Sequence, residues 1–172
     1  MDQGMKTVLE TDRLFLRAFT PDDVDDLLGI FSDSEAMRYY PATKGREETI
    51  GWIDWNLRSY NEHGFGLWAA IRKDTAEFIG QCGLILQRNV DGHDELEIGY
   101  SFLRKQWNLG FVTEAAIACR DFGFTTLDRA HLVSLIDPEN EASKRVAQKV
   151  GMSREKEIAR WGRRIQVYGV AR

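Results

Sequence analysis

A turn that contains one glycine separates a predicted strand from a predicted helix in the second half of the chain. Residues 104–115 read Arg-Lys-Gln-Trp-Asn-Leu-Gly-Phe-Val-Thr-Glu-Ala. A helix that begins directly after such a turn points several unpaired backbone N–H groups and the positive end of its dipole at one spot, which suits a phosphate group. The segment has neither the Walker pattern G-x-x-x-x-G-K-S/T nor the dinucleotide pattern G-x-G-x-x-G. An ordinary strand-to-helix turn is the alternative interpretation.

Cysteine and histidine are too sparse to predict a metal centre. Cys82 and Cys119 lie 37 positions apart, and His63, His93 and His131 are scattered singly. This spacing excludes a zinc ribbon and a disulfide scaffold. We therefore expect two buried free thiols and no metal in the chemistry.

The formal net charge of −4 hides an asymmetry along the chain. Residues 1–100 carry 10 basic and 19 acidic side chains, a net charge of −9, whereas residues 101–172 carry 13 basic and 8 acidic side chains, a net charge of +5. This change of sign predicts an anion-binding region beside a cation-attracting region, or else an ordinary mixed surface. The pI of 5.5 and the interleaving of acids among the later basic residues argue against a nucleic-acid partner.

The length and composition are those of one folded domain. The 172 residues are 43% hydrophobic and 29% charged, which excludes a disordered or collagen-like chain. No apolar stretch approaches the roughly 20 residues needed to span a bilayer, and residues 1–6 lack the apolar core of a signal peptide. We predict a cytoplasmic protein with no membrane partner, a single domain over residues 1–172 and an ordered core that begins near residue 8.

Hydrophobic periodicity predicts an α/β fold of the α+β type, a mixed and mostly antiparallel sheet with helices on both faces, in the order βααβββαβαββ. The second helix, residues 46–62, is expected to bury a stripe of Ile50, Ile53, Leu57 and Tyr60. The other elements are a strand over 11–19, a helix capped by Thr20 and Pro21, an antiparallel meander of strands over 67–72, 78–87 and 95–103, a helix over 113–124, a strand over 131–136, a helix over 139–150, and two strands around residues 161–164.

Three spaced motifs resemble the GNAT superfamily of N-acetyltransferases. They are Glu95-Leu-Glu-Ile-Gly-Tyr-Ser-Phe-Leu103, Trp107-Asn-Leu-Gly-Phe-Val-Thr-Glu-Ala115, and Asp137-Pro-Glu-Asn-Glu-Ala-Ser-Lys-Arg145 followed by Lys149-Val-Gly-Met152. The second motif and the opening Glu10-Thr-Asp-Arg-Leu-Phe-Leu-Arg17 are similar to the branch whose members acetylate alanine or serine N-termini of ribosomal proteins. The resemblance covers nearly the whole chain.

The resemblance implies a splayed sheet and acetyl-CoA as cosubstrate. A bulge in the strand 95–103 is expected to open the sheet at its centre, where the pantetheine arm pairs like an added strand. The family's pyrophosphate loop corresponds to Trp107, Asn108, Leu109, Gly110, Phe111, Val112 and Thr113. Asn108 replaces the usual glycine and Val112 a small residue. These departures put the affinity for the coenzyme in doubt, although backbone amides make the contacts and asparagine tolerates positive φ.

The resemblance also implies a base and an oxyanion site. Glu97, two residues before the Gly-Tyr pair, is the candidate base, acting directly or through a water, and a solvent-facing strand acid is the alternative. Backbone N–H groups near Phe102 and Leu103 are the candidate oxyanion donors, and both residues are assigned to cofactor binding.

Asn140 and Ser143 match the family's N-x-x-S element. Asn140 is expected to fix the pantetheine amide, or only to cap a helix, and Ser143 is expected to protonate the departing thiolate. Tyr168, late in the last strand, is an alternative acid, or else a core or edge-strand residue. Arg145, with Lys144, is expected to reach the CoA phosphates, or else to lie on a solvated helix face.

These roles imply that acetyl passes from acetyl-CoA to a primary amine by direct attack. The leading acceptor is a protein N-terminal α-amine, and the alternatives are a small amine (polyamine, amino acid or aminoglycoside) or a non-catalytic acyl-CoA sensor. The acidic first half suits a cationic acceptor. The aromatic residues expected to wall its pocket, or else to lie in the core, are Tyr39, Tyr40, Trp52, Trp55, Phe65 and Trp68. C-terminal edge strands are compatible with a monomer or a homodimer.

Overall fold

The computed structural model describes residues 6–172, so the prediction about a signal peptide at the start of the chain falls largely outside it. Its elements are β1 (Thr7–Glu10), β2 (Leu14–Arg17), α1 (Val24–Phe31), α2 (Arg46–His63), β3 (Leu67–Arg72), β4 (Phe78–Val90), β5 (His93–Phe102), α3 (Phe111–Thr125), β6 (His131–Ile136), α4 (Glu141–Lys149), β7 (Ser153–Arg160) and β8 (Arg163–Ala171). Short 3₁₀ turns at Pro21–Asp23 and Arg104–Gln106 lie shortly before α1 and α3. The predicted order is confirmed with one addition, because β1 precedes the first predicted strand.

The eight strands of the described residues form one sheet in the order β1-β2-β3-β4-β5-β6-β8-β7. Neighbouring strands are antiparallel except for β5 and β6, which are parallel and share, within the described chain, the one register pair of Glu97 with Val133. The pairing of β5 with β4 is continuous from Phe102 opposite Gly80 to Glu95 opposite Gln87. The predicted bulge in residues 95–103 is therefore wrong. The sheet opens because β6 diverges from the other edge of β5.

Helices cover both faces of the sheet, as predicted. Along β3, Leu67 and Ala69 pack in a cluster with α1 and α2, whereas Trp68 and Ala70 pack in a second cluster with α3 and α4. Side chains alternate between the faces of a strand, so the two clusters lie on opposite faces. Within residues 6–172, no helix is both long and apolar enough to cross a bilayer.

The predicted apolar stripe of α2 is buried in part. Ile53 is buried and Leu57 and Tyr60 are partly buried, whereas Ile50 is 42% exposed. Polar side chains of α2 also point inward: Asn56 Oδ1 accepts a hydrogen bond from the Leu67 N–H (2.8 Å), and Ser59 Oγ donates to the Phe65 carbonyl (2.6 Å). Because these polar groups satisfy the backbone that leads into β3, apolar periodicity alone did not indicate the whole buried face.

Both cysteines are buried free thiols, as expected from their isolation in the sequence. The fold brings Cys82 of β4 and Cys119 of α3 to a sulfur-to-sulfur distance of 3.6 Å. Burial raises the pKa of the Cys119 thiol well above its ordinary value. Cys119 therefore packs as a protonated, unreactive side chain.

His131, the first residue of β6, lies between two carboxylates. Its Nδ1 is 3.1 Å from Glu95 on β5 and its Nε2 is 2.8 Å from Glu155 on β7. Burial disfavours the charged imidazole, but the hydrogen bonds and charges of Glu155 and Glu95 outweigh it and raise the pKa of His131. A raised folded-state pKa contributes stability that is fully present below the unfolded-state pKa of about 6.5 and is lost as the pH rises through the folded-state pKa.

Replacing His131 with Gln is therefore expected to reduce the free energy of unfolding by about 0.5 to 1 kcal/mol at pH 6, a small value because the side chain is one-third exposed to solvent. At pH 9 the loss is expected to be smaller. Urea unfolding at the two pH values measures the difference. His93→Gln, at the exposed start of β5, is the matched control and should change little at either pH. An equal loss at both pH values for the His131 variant would show that the charge of His131 between Glu95 and Glu155 does not contribute to stability.

Candidate active site

The site lies where β5 and β6 part. Directly beyond the register pair of Glu97 with Val133, the two strands are joined by hydrogen bonds that involve side chains instead of backbone-to-backbone hydrogen bonds. Glu97 Oε2 accepts from the Leu135 N–H (2.8 Å), and Ser134 Oγ donates to the Ile98 carbonyl (2.9 Å). Residues 99–102 of β5 therefore face a cleft along the edge that β6 has left.

Hydrogen-bond alternation decides which amides of β5 face this cleft. The Leu103 N–H donates to the Ile79 carbonyl (2.9 Å) across the ladder to β4. In an antiparallel ladder this bond makes Phe102 and Gly80 a non-hydrogen-bonded pair, so the amides of Phe102 and Tyr100 point away from β4 and into the cleft. The prediction of Leu103 as an oxyanion donor is wrong, because its N–H is engaged and its side chain packs with the α1–α2 cluster.

A cavity of about 650 Å³ extends from this edge to the start of α3, and we call it the donor cavity. The predicted cofactor residues that line it are Phe102, Trp107, Asn108, Gly110, Phe111, Val112, Thr113, Asn140, Ser143 and Arg145. Leu109 does not line it: the side chain is 49% exposed, and Arg13 holds its carbonyl outside (3.0 Å). Lys149 also lines the donor cavity, and its position one helical turn after Arg145 was the available signal.

The turn before α3 has the backbone geometry of an anion site. Asn108 and Gly110 adopt φ of +61° and +82°, so the asparagine takes the left-handed conformation that glycine usually supplies. Glu114 N–H donates to the Gly110 carbonyl (3.1 Å), and the amides of residues 111–113 before it are the unpaired ones of a first helical turn. Val112 packs against the core cluster and leaves this turn open to the cavity.

The connection between β1 and β2 is bonded to the start of α3. Thr11 Oγ1 donates to Glu114 Oε2 (2.7 Å), Arg13 Nε donates to Glu114 Oε1 (3.0 Å), and the Arg13 guanidinium lies 4.2 Å over the Phe111 ring. Burial opposes ionisation of Glu114, but the hydrogen bonds from Thr11 and Arg13 prevail and lower the pKa of its carboxyl. The carboxylate is therefore charged and joins α3 to the β1–β2 connection.

A second cavity, of about 510 Å³, lies on the α1–α2 face, and we call it the acceptor cavity. Gly99, Glu97 and Ser101 line it, and period-two alternation puts these three on one face of β5. The predicted wall residues Tyr39, Tyr40, Trp52 and Trp55 also line it. Phe65 and Trp68 do not, because both are buried in the core cluster beneath α3.

The two cavities meet at six shared residues: Tyr39, Tyr40, Tyr100, Ser101, Asn140 and Ser143. Asn140 Oδ1 accepts from the Ser143 N–H (3.1 Å) and so caps α4, which leaves its Nδ2 for another ligand. Tyr100 Oη donates to the Ser143 carbonyl (3.1 Å). Lys144 lines neither cavity and pairs with Glu141 (3.0 Å).

Tyr168, the alternative acid, also lines neither cavity. Its side chain is buried in the core cluster, opposite Ser134 in the pairing of β6 with β8. The alternative of a core residue is therefore supported, since alternation along β8 turns Tyr168 to the other face of the sheet from the acceptor cavity.

Glu97 is a buried carboxylate and not a solvent-facing strand acid, which was the alternative interpretation of the sequence. It is 8% exposed, and Gln87 Nε2 donates to its Oε1 (3.0 Å) while Leu135 N–H donates to its Oε2. Burial raises the pKa of Glu97, and the bonds from Leu135 and Gln87 and the charge of Arg160 offset this only in part. Two of the four lone-pair positions of the carboxylate remain for other partners.

A hydrogen-bonded chain crosses the end of the acceptor cavity, and no sequence motif indicated it. Trp52 Nε1 donates to Gln81 Oε1 (2.9 Å), and Gln81 Nε2 donates to Ser101 Oγ (2.9 Å). An indole N–H can only donate, so it fixes the orientation of the buried Gln81 amide. The Ser101 hydroxyl accepts from that amide and keeps its own proton for a partner at the junction of the cavities.

A helix terminus suited to phosphate, joined through a common junction to a cavity with a buried carboxylate, defines an enzyme that transfers a group from a phosphate-bearing donor to a second substrate. Residues 13–153 match the family described as the acetyltransferase (GNAT) domain, and the chain belongs to that family. It is 43% identical over 164 residues to the uncharacterized protein YkkB of Bacillus subtilis strain 168, covering 95% of each chain. It is 33% identical over 153 residues to the uncharacterized N-acetyltransferase YoaA of the same strain, covering 88% of this chain and 85% of that one.

The fold is also that of a ribosomal-protein acetyltransferase. The structure of RimL, described as a ribosomal L7/L12 alpha-N-protein acetyltransferase in complex with coenzyme A, matches with a TM-score of 0.77 over 96% of this chain and 98% of that one. Its identity of 17% shows a shared fold alone. Among residues 6–172, no group of three His, Cys, Asp or Glu side chains is placed to hold a metal ion.

Asn108→Val is expected to weaken CoA binding about tenfold, because a β-branched residue at φ +61° is strained by about 1 to 2 kcal/mol in the turn. Asn108→Gly should leave the Kd within about twofold, since glycine adopts the same conformation freely. Calorimetric titration with CoA measures both values. Asn89→Val carries the same strain at φ +50° on the β4–β5 hairpin and should lower stability without changing the Kd. An unchanged Kd for Asn108→Val would remove this turn from coenzyme binding.

Proposed function

We propose that the protein acetylates a primary amine that enters the acceptor cavity, with acetyl-CoA as donor and direct attack of the amine on the thioester. The observation that carries this proposal is the junction, where a donor cavity and an acceptor cavity meet at Tyr100 and Ser143, with Glu97 in the wall of the acceptor cavity. Membership of the family makes the chain an N-acetyltransferase. The acceptor and the residue roles below are the proposed part.

The donor cavity fits a CoA molecule on three grounds. The unpaired amides of residues 111–113 suit the pyrophosphate, Arg145 and Lys149 supply positive charge beside it, and the amides of Tyr100 and Phe102 present an open strand edge to the pantetheine arm. Acetyl-CoA, when bound there, supplies the activated acetyl thioester. The Tyr100 N–H, which faces the cleft at the junction of the two cavities, is the donor we assign to the oxyanion, and the Phe102 N–H is left for the pantetheine arm.

Glu97 is the proposed base. An amine must lose a proton before or during attack, and at pH 7 about a tenth of an α-amine is neutral, against well under one in a thousand for a lysine side chain. The carboxylate has two free lone-pair positions and a pKa raised by burial toward the working pH. It accepts the proton of the incoming ammonium directly or through one water.

Ser143 is the proposed acid. Its hydroxyl lies on α4 at the junction, and its main chain is fixed on both sides by Asn140 and Tyr100. We assign this hydroxyl the transfer of a proton to the sulfur as the C–S bond breaks. The hydroxyl regains a proton from the attacking nitrogen, which loses its second proton as the amide forms. Asn140 is assigned to the pantetheine amide through Nδ2, while its oxygen caps the helix.

The leading acceptor is a protein N-terminal α-amine. Its lower pKa makes it easier to deprotonate than a lysine side chain, which suits a carboxylate that already accepts two hydrogen bonds. A small amine is the second candidate, and the volume of the acceptor cavity favours it, because 510 Å³ is typical of a small-molecule pocket. Thiol release from acetyl-CoA, measured with N-terminal peptides and with polyamines, amino acids and aminoglycosides, separates the two. CoA binding without thiol release from any amine would instead identify an acyl-CoA sensor.

Glu97→Gln is expected to lower kcat about 10- to 100-fold with little change in CoA affinity, because glutamine still accepts from the Leu135 N–H but takes up no proton. The acidic limb of the kcat–pH profile should disappear, since the wild-type rate falls as Glu97 becomes protonated. Ser134→Ala is the control: it removes the neighbouring hydrogen bond to Ile98 but leaves the carboxylate, so it should cost stability and retain the limb. A pH profile unchanged by Glu97→Gln would eliminate Glu97 as the base.

Ser143→Ala is expected to lower kcat about tenfold or more, at an unchanged Kd for CoA, because the departing thiolate loses its proton donor. Single-turnover thiol release measures this step. Tyr168→Phe removes the hydroxyl of the core tyrosine and should leave turnover unchanged. The reverse pattern, with a slow Tyr168 variant and a normal Ser143 variant, would refute the assignment.

A further inference from the structure

Four charged side chains line the acceptor cavity, and two of them neutralise each other. Arg163 Nη1 lies 3.3 Å from Asp137 Oδ2. The other two are Glu97 and Lys44. Among the described residues, no carboxylate oxygen lies within 4.0 Å of Lys44 Nζ, so the cavity holds one anion and one cation that are not paired with each other.

The Lys44 ammonium is held against aromatic faces of the cavity wall. Its Nζ lies 5.0 Å from the centroid of the Trp52 ring and 5.6 Å from that of Phe31. The two rings meet edge to face at 5.5 Å, and the Trp52 indole is anchored to Gln81. The Lys44 N–H also donates to the Phe31 carbonyl (2.8 Å), which fixes the backbone. The charge is therefore positioned before any ligand arrives.

Lys44, which precedes α2, and Glu97, on β5, line the same cavity from different elements. Trp52, beside Lys44, bonds to Gln81, which pairs with Ser101 on β5. Glu97 precedes Ser101 by four residues, and its carboxylate bonds to the Leu135 N–H of β6. One ligand in the cavity can therefore meet both charges.

We infer that the acceptor carries, besides its primary amine, an anionic group that pairs with Lys44. This inference rests on the proposed function, since it takes Glu97 as the amine end. A carboxylate or phosphate that reaches Lys44 completes the charge pairing of the cavity, whereas a second ammonium would repel Lys44 and a neutral group would leave it unpaired. The shared chemistry is an amine with a second, anionic group, either a small ω-amino acid or a peptide with an acidic side chain near its N-terminus.

The test compares acceptors that differ in that one group. Linear ω-amino acids of increasing length are set against their terminal amides and against diamines, and tripeptides with Glu at the third position are set against the same peptides with Gln. At the best length we expect kcat/KM for the acid to exceed that for its amide about tenfold, through KM, with a smaller ratio at high salt. The peptide and small-molecule arms show which source the cavity prefers.

Lys44→Gln is expected to abolish the preference by raising KM for the acid alone, and Lys44→Arg is expected to retain it. Lys73→Gln is the matched control: Lys73 Nζ also lies 5.0 Å over an aromatic ring, that of Phe15, but pairs with Glu10 and lines neither cavity. It should keep the wild-type ratio.

Failure of this inference is distinguishable from failure of the proposed function. Equal kcat/KM for acid and amide at every length, in the wild type and in Lys44→Gln, would overturn the inference while acetylation itself stands. If no amine is acetylated, calorimetric binding of the same acids and amides to the CoA-bound protein provides the second measurement. Tighter binding of the acids that depends on Lys44 supports the anion site, and equal binding overturns it.

Discussion

The divergence of one parallel strand pair is the constraint on which both cavities depend. β5 and β6 cannot simply separate, because the main-chain groups they release would be buried without partners. The Glu97 carboxylate and the Ser134 hydroxyl occupy the first released positions, on Leu135 and Ile98, and beyond them the edge of β5 is left for a ligand. Glu97 thus closes the ladder and faces the acceptor cavity with the same side chain. Because the carboxylate bonds to Leu135 inside the sheet it is buried, and this burial raises the pKa of Glu97. A raised pKa suits the proposed role of Glu97 as a base in the acceptor cavity.

Much of the fold was predictable because its elements obey simple periodicities. The meander β3–β5 and the strand β6 are bounded by turns and alternate with period two, and α3 begins one residue after the glycine of the turn. The buried face of α2 was predictable only in its apolar part, since Asn56 and Ser59 bind backbone that folds against them from the following loop. β1 was missed as well: its four residues pair along one edge with β2 and show no strong alternation of burial.

Features of the candidate site that depend on neighbouring residues in the sequence were predictable, whereas features that depend on contacts between distant residues were not. The turn before α3 was found because its conformation is local, and Asn108 adopts the positive φ that its residue type permits. The prediction of Leu103 as an oxyanion donor was wrong because the sequence does not show whether a backbone N–H is hydrogen-bonded. Only the register of the ladder shows that the Leu103 N–H is bonded to β4. The bond of Arg13 to Glu114 spans 101 residues, so the N-terminal motif that resembles the family acquires a physical reason only in the folded chain.

Net charge of the two halves of the chain is a poor guide to the two cavities. Many acidic side chains of the first half form ion pairs with basic side chains that lie beside them in the fold, as Asp23 does with Arg17 and Asp33 with Arg104. The acceptor cavity instead takes its unpaired cation, Lys44, from the acidic half of the chain and its paired Asp137 from the basic half. Field strength in a low-dielectric cavity depends on which charges lack a partner there, not on how many the segment contains. A cavity lined by one carboxylate and one ammonium that do not pair with each other therefore selects the charges of its ligand, even though the chain as a whole is only weakly acidic.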